Sequence, residues 1–514
     1  MKKFFYLFFA LVFLASCGPQ KVDVLILNGT VYNGVDEESK SVNIAIKGDQ
    51  ILEIGEFDNS KFEATKVIDA KGQIVSPGFI DPHTHADREL VLQEASHNKP
   101  FLFQGITTVV TGNDGESVYP ISRFKELCLA NGIGTNVIPL TGHGTLRDES
   151  GIKTQTNPDE AALNLMKEKL KQEMEEGSFG LSTGLFYSPG SFSTTDEVIS
   201  LAKVLKLYNG IYDSHIRDES SYTVGLLKSV AEVIEIGEEA KVPVHISHIK
   251  CLGADVWRYS DSIIAMVEKA QLEGVQITAN QYPYRASATG LKSALIPKWA
   301  QSGGMDSLRY RVEKSTTRKK VLEGITKNIK RRGGGKSLVM IKAYDKNLLF
   351  KDLTTISDSL KLSEAETALK LVLGGFIRIA SFNMTDYDVE NFMSQDWVVT
   401  GSDGNTGHPR KYGSFPKKYR EYVQEKKLMS LGKFIQNSTA KTAEIFNLKN
   451  RGVLKPNYKA DIIIFDPNTF KDRATFDNPF VLASGLNYAI INGKVSVDNG
   501  KFTDQLNGEF LTRD

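Results

Sequence analysis

The sequence lacks most of the features that would place it in a specialised class of protein. It has only three cysteines in 514 residues, which argues against a small scaffold held together by disulfides. Its formal charge is +1 and it has no long basic run, so the composition gives no reason to expect a nucleic-acid partner. With 41% hydrophobic residues it is an ordinary globular chain, long enough for one large domain and a smaller one.

The N-terminal segment MKKFFYLFFALVFLASCGPQ is typical of a targeting sequence rather than of a folded domain. Two lysines precede an apolar stretch of about a dozen residues, which is too short for a comfortable membrane span. Leu14-Ala15-Ser16-Cys17 resembles the bacterial lipobox, whose cysteine carries the lipid after cleavage. We expect residues 1–17 to be a lipoprotein signal peptide, with an ordinary secretory signal as the alternative.

A lipid on Cys17 would be the only attachment of this protein to a membrane. The mature protein would then be an anchored lipoprotein outside the cytoplasm, on the periplasmic side of a bacterial envelope. The sequence leaves open which membrane holds the anchor.

Eight short apolar runs alternate with helical patterns along the middle of the chain. The runs are IVSPGFID, ITTVVTGN, NVIPLTGHG, SFGLSTG, GIYDSHIR, VPVHISHIK, VQITANQYPY and WVVTGSDG. Each is bounded by Gly, Pro or Asn, as buried parallel strands are. The alternation predicts an α/β protein with a (β/α)8 barrel of the TIM type over residues 75–446.

Two further parts are predicted around this barrel. The gap before the eighth strand is longer than one helix needs, so residues 286–346 are predicted to be an inserted lid segment, with the helical pattern LSEAETALKLVLGG rejoining the barrel. Hairpin-like strands at both ends predict a small β-sandwich built from residues 21–74 and 447–514.

Histidines cluster where the predicted strands end. His83 and His85 are two residues apart and would point to the same side of a strand. His143, His215 and His248 follow three other strands, so five of the eight histidines fall at one mouth of the barrel. Imidazole is the commonest metal ligand, and catalytic zinc uses three protein ligands with one open position. The pattern therefore predicts a metal site.

Several motifs, in a consistent order over nearly the whole mature chain, resemble the amidohydrolase superfamily and, more narrowly, the N-acyl-D-amino-acid deacylases, or D-aminoacylases. The motifs are PGFIDPHTHADREL, TGNDG, GHGTLR, GLSTGLFYSPG, SHIRDE, ISHIKC, YPY and GSDG followed by HPRKYGSFP. The resemblance implies a hydrolase of carbon–nitrogen bonds other than peptide bonds. Its expected substrates are N-acyl-D-amino acids, which it would cleave to a carboxylate and a free D-amino acid.

The resemblance also implies roles for individual residues. His215 and His248 resemble the ligands of a tight zinc, while His83 and His85 with Asp403 resemble those of a second, weaker metal site, whose occupancy is left open. Asp403 resembles the residue that takes a proton from the metal-activated water and passes it to the leaving amine.

The substrate-binding residues are implied in the same way. Lys250, Tyr282 and Arg410 resemble residues that hold the substrate α-carboxylate, with Tyr282 only slightly preferred to Tyr284. Tyr187 is a candidate for steadying the scissile carbonyl, with simple packing as the alternative. His143 is expected only to support the ligands.

One position departs from the family pattern. In TGNDG this chain has Asp114 where D-aminoacylases usually carry a zinc-binding cysteine. A carboxylate is also a zinc ligand and can bridge two metals through its two oxygens. We therefore expect Asp114 to be a metal ligand, with a turn-capping role as the alternative.

Other functions remain as alternatives. A cyclic-amide hydrolase of the dihydroorotase or hydantoinase kind, or a β-aspartyl dipeptidase, usually has a carboxylated lysine at the end of the fourth strand, where this chain reads GLSTGLFYSPG. A lipoprotein that only binds a metal or ligand would not need Asp403. The sequence leaves open the preferred D-side chain, for which Arg285 is one candidate contact, as well as the metals and the oligomeric state.

Overall fold

The computed structural model describes residues 18–513. The predicted signal peptide and its lipidation site, Cys17, lie outside the described residues. Within that described part, no helix combines the length and apolar character needed to cross a membrane. The two cysteines there, Cys128 and Cys251, are both free and buried.

Twenty-one strands are found between residues 18 and 513. They are β1 (Gln20–Val31), β2 (Lys40–Lys47), β3 (Gln50–Gly55), β4 (Phe62–Asp69), β5 (Ile74–Pro77), β6 (Phe79–Asp81), β7 (Ile106–Thr111), β8 (Asn136–Pro139), β9 (Thr141–Gly142), β10 (Gly180–Gly184), β11 (Ile211–His215), β12 (Val244–Ile246), β13 (Ile277–Gln281), β14 (Ala286–Gly290), β15 (Leu338–Ala343), β16 (Ile377–Phe382), β17 (Val398–Thr400), β18 (Ile462–Phe465), β19 (Leu486–Ile491), β20 (Lys494–Asp498) and β21 (Lys501–Phe502).

Eighteen α-helices occur in the same described range. They are α1 (Asp87–Leu90), α2 (Lys99–Leu102), α3 (Ile121–Asn131), α4 (His143–Glu149), α5 (Glu160–Glu175), α6 (Thr195–Leu205), α7 (Leu226–Ala240), α8 (Ser260–Leu272), α9 (Leu291–Leu295), α10 (Lys298–Gln301), α11 (Gly304–Glu313), α12 (Ser315–Arg331), α13 (Leu353–Leu360), α14 (Glu364–Gly374), α15 (Asp386–Met393), α16 (Arg410–Lys417), α17 (Leu431–Ser438) and α18 (Ala440–Ile445). A π-helical segment, Lys418–Glu425, continues α16.

Eight parallel strands follow one another in the order that the sequence predicts. β6, β7 and β8 form one parallel sheet, and β9, β10, β11, β12, β13 and β17 form a second. Only Leu140 separates β8 from β9, so these two count as one of the eight strands. A parallel bridge between Thr84 and Gly404 joins the ends of the first and last strands. The carboxyl ends of all eight strands therefore meet on one side of the molecule, where barrel enzymes carry their active sites.

Helices cover these strands because their apolar residues recur every three or four positions. In α7, Val230, Val233 and Ile236 are fully buried and pack in one core with Val244 and Ile246 of β12. β7, β10 and β11 are buried along their whole length, as expected when helices and side chains cover both faces.

Strands from the two termini pair in one sheet of nine strands. Its order is β21-β20-β19-β18-β5-β1-β2-β3, with β4 also paired to β1. The run IVSPGFID, predicted as one strand, divides into β5 in this sheet and β6 among the barrel strands. Gly78 lies at the junction, where a Cβ would come within 2.1 Å of the Thr107 side chain. The apolar pattern of the sequence does not separate these two strands, because the residues of both are buried.

The inserted segment is longer than the predicted range 286–346. β14, β15 and β16 form their own antiparallel sheet, which ends at Phe382. The helix in LSEAETALKLVLGG, α14, does not rejoin the barrel, because Leu369 and Val372 pack with Val321 and Ile325 of α12 in the core of the insertion. The helix that precedes the eighth barrel strand is α15.

Candidate metal centre

The strand ends hold the site residues in unusual backbone conformations. Asp114, His248 and Asp403 have φ values of 58°, 37° and 47°, in the left-handed region that side-chain-bearing residues rarely adopt. Asp114 and Asp403 each precede a glycine, and a Cβ on Gly115 would lie 2.7 Å from the backbone nitrogen of Gly184. Such strain persists where the surrounding structure holds it, and it concentrates at functional sites.

The carboxylate of Asp114 stands between two sets of histidines. Its Oδ1 lies 3.3 Å from Nε2 of His248, 3.4 Å from Nδ1 of His215 and 3.5 Å from Nε2 of His83. Its Oδ2 lies 3.5 Å from Nε2 of His85. No backbone donor of its own turn bonds this carboxylate in the described part of the chain, so the geometry does not favour the turn-capping alternative.

Asp403, which follows the eighth strand, approaches the same group beside His83 and His85. Its Oδ1 lies 3.3 Å from Nε2 of His85 and 3.9 Å from Nε2 of His83. Nη2 of Arg410 lies 2.7 Å from the same oxygen and forms an ion pair with it. Its backbone N–H donates to the His83 carbonyl over 2.9 Å, which fixes the eighth strand against the first.

The electrostatics of this cluster favour cations. Burial alone would raise the pKa of Asp403, but Arg410 and His248 hold it well below its usual range. Burial alone would lower the pKa of His85, but hydrogen bonds to Asp114 and Asp403 raise it to about 9. Imidazoles in this state must lose a proton to bind a metal, so metal uptake is expected to depend on pH.

Glu219, which the sequence analysis did not assign, holds two of the site residues. Its Oε1 lies 3.2 Å from Nδ1 of His248, and it accepts a charge-assisted hydrogen bond from Lys250. Nζ of Lys250 also lies 2.8 Å from Nδ1 of His248. The other ring nitrogen of His248 faces Asp114, so the imidazole is held from both sides.

A second network ties the ligand-bearing strand ends together. Oδ2 of Asp213 accepts from the Asn113 side chain over 3.1 Å, and both of its oxygens accept from the Ser247 hydroxyl over 2.9 Å. The Asn113 side chain also accepts from the Thr84 backbone over 3.3 Å. These residues adjoin His83, Asp114, His215 and His248 in sequence, so the network sets the spacing of the ligands.

The donor set fits a divalent metal. Nε2 of His83, Oδ1 of Asp114 and Nε2 of His215 are buried without a hydrogen-bond partner in the described structure. Three overlapping groups have ligand atoms within 4.8 Å of one another, namely His83–His85–Asp114, His83–His248–Asp403 and Asp114–His215–His248. Nitrogen and carboxylate oxygen are the ligands that zinc takes in catalytic sites.

A cavity of about 840 Å³, part of it open to solvent, lies over these residues. Tyr187, Lys250 and Tyr282 line it, and the Tyr187 ring lies 4.7 Å from the His215 ring. The Tyr282 hydroxyl is buried and has no hydrogen-bond partner among residues 18–513. Arg410 does not reach the cavity wall, and its contact with a substrate carboxylate stays a prediction.

Three other candidates lie away from this cavity. The Tyr284 ring packs 5.3 Å from that of His408, outside the cavity lining, so the structure favours Tyr282 of the two. His143 is buried 2.8 Å from Glu197, which also holds Arg147, and it supports the wall rather than a ligand. Arg285 is exposed and pairs with Asp386, so it does not face the cavity.

Sequence comparison finds a family and full-length relatives. The amidohydrolase family pattern matches residues 66–283 and 369–497. The chain is 29% identical to the D-aminoacylase of Alcaligenes xylosoxydans xylosoxydans over 97% of this chain and 99% of that relative. It is 30% identical to the N-acyl-D-glutamate deacylase of the same organism, over 92% of this chain and 93% of that relative.

Structure comparison gives the same relationship. The N-acyl-D-glutamate deacylase of Bordetella bronchiseptica, solved with zinc and a phosphonate that mimics the tetrahedral intermediate, superposes with a TM-score of 0.82. It is 28% identical, and the match covers 96% of this chain and 100% of that structure.

Proposed function

Because this chain belongs to the amidohydrolase family, we propose that it hydrolyses the amide bond of N-acyl-D-amino acids to a carboxylate and a free D-amino acid. The observation that carries the proposal is the position of Asp114, whose two oxygens face two sets of histidines, with the Asp403 carboxylate beside His85. A protein that only bound a metal would have no use for a proton shuttle beside an open cavity.

The residues that would hold the metal follow from the geometry. Asp114, His215 and His248 would hold one zinc ion, and His83 and His85 with Asp114 or Asp403 would hold a second, weaker one. Bound zinc polarises a substrate carbonyl and lowers the pKa of water to about 7.

Asp403 is the proton shuttle of this proposal. The Arg410 guanidinium beside it keeps the carboxyl ionised at neutral pH, so it is ready to accept a proton from the attacking water. The same proton then passes to the amide nitrogen as the carbon–nitrogen bond breaks, which gives the free amine.

Lys250 and Tyr282 would bind the substrate α-carboxylate. The Lys250 ammonium lies 5.6 Å from the centre of the Tyr282 ring, and no described residue forms a hydrogen bond with the Tyr282 hydroxyl. If these two groups hold the carboxylate while the carbonyl lies at the metal, the substituents on Cα have fixed directions. One enantiomer then directs its side chain into the wall.

A hydrolysis panel tests this function. The zinc-loaded protein should cleave N-acetyl-D-leucine, N-acetyl-D-alanine and N-acetyl-D-glutamate, with little activity on the L forms. Release of free amine is the measurement. Equal rates on both enantiomers, or no cleavage of any of them, would contradict the proposal.

The competing enzyme class is tested in the same assay. Cyclic-amide hydrolases and β-aspartyl dipeptidases usually need a carboxylated lysine after the fourth strand, and β10 ends here in Ser182-Thr183-Gly184. The Ser182 hydroxyl instead donates a hydrogen bond to the Gly112 carbonyl and accepts one from the backbone N–H of Gly115. Hydantoin and dihydroorotate should therefore not be hydrolysed.

We also propose that the protein is a lipoprotein held outside the cytoplasm by a lipid on Cys17. The support is the segment Leu14-Ala15-Ser16-Cys17 after a short apolar run. A Cys17→Ser variant expressed in a bacterial host should no longer incorporate labelled fatty acid, and it should no longer be found in the membrane fraction. Labelling that persists in this variant would contradict it.

A further inference from the structure

A second cavity opens into the catalytic cavity, the one over the metal-site residues, from the side of the insertion. Its volume is about 1050 Å³, part of it open to solvent, and residues of α9, α11, α14 and β16 line it. The two cavities share five lining residues, namely Glu116, Tyr187, Gly290, Ser293 and Phe376. A ligand at the metal centre therefore has room to extend into this second cavity, which we call the side groove.

Five apolar side chains line the side groove beyond the shared residues. Leu291, Val372 and Ile377 belong to the buried core of the insertion, and the partly buried Met305 and Leu373 pack against that core. An apolar chain lying along these residues would be removed from water, which favours binding.

Two polar side chains in the same part of the side groove are bonded to the backbone of the insertion. The Gln301 amide donates to the Ile296 carbonyl over 2.7 Å, and the Arg309 guanidinium donates to the Leu373 carbonyl over 2.8 Å. These bonds leave the apolar side chains as the main feature that a ligand would meet there.

The passage between the two cavities has a glycine on one side and an exposed phenyl ring on the other. A Cβ added at Gly290 would meet no atom closer than 3.7 Å, and one of the nearest is Cε2 of Phe376 at 3.9 Å. The Phe376 side chain is 57% exposed. A ring exposed beside an open cavity gains free energy when an apolar ligand covers it.

The side groove opens on the carbonyl side of the catalytic cavity. Tyr187, which lines both cavities, has its ring 4.7 Å from that of the metal-site residue His215. Lys250 and Tyr282, the proposed partners of the α-carboxylate, line the catalytic cavity but not the side groove. In an N-acyl-amino acid the acyl chain is attached to the carbonyl carbon, so it is the part of the substrate that starts beside the groove.

We infer that the side groove binds the acyl chain of the substrate, and that the enzyme prefers extended, unbranched apolar acyl groups such as hexanoyl and octanoyl to acetyl. This inference rests on the proposed deacylase function. The bond that breaks is the same amide bond, and its hydrolysis releases a fatty acid together with the free D-amino acid.

The test is a series of substrates that differ only in the acyl chain, namely N-acetyl-, N-butyryl-, N-hexanoyl- and N-octanoyl-D-alanine. Each buried methylene improves binding by about 2- to 4-fold. From acetyl to hexanoyl, kcat/KM should therefore rise by about 10- to 100-fold. N-acetyl-D-norleucine carries its extra methylenes on Cα and should gain less. An equal or larger gain for this compound would overturn the assignment of the groove to the acyl chain.

A double variant places two amides in the groove with little change in side-chain size. Met305→Gln with Leu373→Gln should lower kcat/KM for N-hexanoyl-D-alanine by about 10-fold, because an amide is costly to bury against an apolar chain. N-acetyl-D-alanine should be cleaved as before, since neither residue lines the catalytic cavity. Leu362→Gln, which changes an exposed apolar residue of the insertion outside both cavities, is the matched control and should keep the full gain.

A second variant narrows the passage itself. Gly290 has a φ of −66°, which any residue adopts, and its added Cβ would have room. Gly290→Val should therefore fold normally, which its melting temperature checks. It should lower kcat/KM for the hexanoyl and octanoyl compounds more than for the acetyl compound.

The outcomes separate this inference from the proposed function. If N-acetyl-D-alanine is cleaved but the rate does not rise with acyl length, or if both groove variants keep the rise, the inference is wrong while the function stands. If no compound is cleaved, the function is wrong, and calorimetry then decides the groove. Wild type should bind N-octanoyl-D-alanine more tightly than the double variant does, and equal affinities would overturn the inference.

Discussion

Nδ1 of His248 lies 3.2 Å from a carboxylate oxygen of Glu219, on the side of the ring that faces away from Asp114. A carboxylate in this position fixes the orientation and the tautomer of a metal-binding imidazole. The same carboxylate holds Lys250. One acidic residue therefore couples the metal side of the cavity to its substrate side.

Replacing Glu219 by Gln should weaken zinc binding by about 10- to 100-fold, which is the usual loss for such supporting groups. The amide keeps the shape but no longer carries the charge that stabilises the imidazole and the ammonium. Zinc affinity is measured by competition with a chelator. Glu116→Gln, which changes an exposed acid at the cavity rim, is the matched control, and equal affinity in all three proteins would refute the prediction.

Asp114→Ala should release the more tightly bound zinc and abolish hydrolysis, because it removes the oxygens that face both histidine sets. Asp114→Cys should restore zinc binding, since a thiolate is also a zinc ligand. Metal content per chain and amine release are the measurements. Metal and activity that both survive the Ala change would make Asp114 a turn residue.

The same pair of proteins tests why a carboxylate stands here. A thiolate in an open cavity is prone to oxidation and a carboxylate is not. Peroxide should therefore inactivate Asp114→Cys and spare the wild type, whose cysteines Cys128 and Cys251 are buried. Equal loss of activity in both proteins would speak against this explanation.

Asp403→Asn should lower kcat by at least about 10²- to 10⁴-fold, the usual contribution of a general acid–base group. The amide cannot accept the proton of water or return it to the amine. Zinc content and the melting temperature should stay close to wild type, which separates a lost proton shuttle from a lost fold. Near-normal turnover would assign the shuttle to another residue.

The pH dependence of stability should report a buried lysine. Lys418 is fully buried with the Thr400 hydroxyl 3.1 Å from its Nζ, and burial lowers its pKa to about 7 from 10.5. Between these two values the unfolded chain binds a proton that the folded chain does not, so the free energy of unfolding rises with pH there. Below pH 7 the buried Lys418 is charged in the folded chain, so the full destabilisation by this charge is present.

Lys418→Met should therefore raise the melting temperature most below pH 7, and the gain should fade as the pH approaches 10. Lys417→Met, which removes a neighbouring lysine paired with Glu421, is the control and should not show this pattern. A gain that is constant over the whole pH range would contradict the assigned cause.

The parallel strands and the convergence of the histidines could be predicted because both depend on local patterns. A buried strand followed by a helix is visible in the chain, and residues at the carboxyl ends of parallel strands must converge. The comparisons confirm the predicted family, whose motifs, such as PGFIDPHTHADREL and SHIRDE, recur in a fixed order.

The remainder depends on contacts between distant residues. The α14 sequence predicts a helix, and its Ser363–Glu366 capping box shows where it begins, but nothing local says that it packs on α12. Nothing local in the sequence says that Arg410 pairs with Asp403. Glu219 is the last residue of the motif SHIRDE, so the sequence did offer a signal for it.

The sheet that unites both termini has a consequence for how the chain is made. Pro77 of β5 pairs with Ile462 of β18, so the ribosome must synthesise nearly the whole chain before this pairing can form. Loop closure over such a distance in sequence is slow, and strands that are still unpaired are prone to aggregate. The barrel strands pair largely with close neighbours along the chain. The terminal sheet should therefore be the last part of the protein to fold. A product truncated before β18 should have an exposed, unpaired edge on β5.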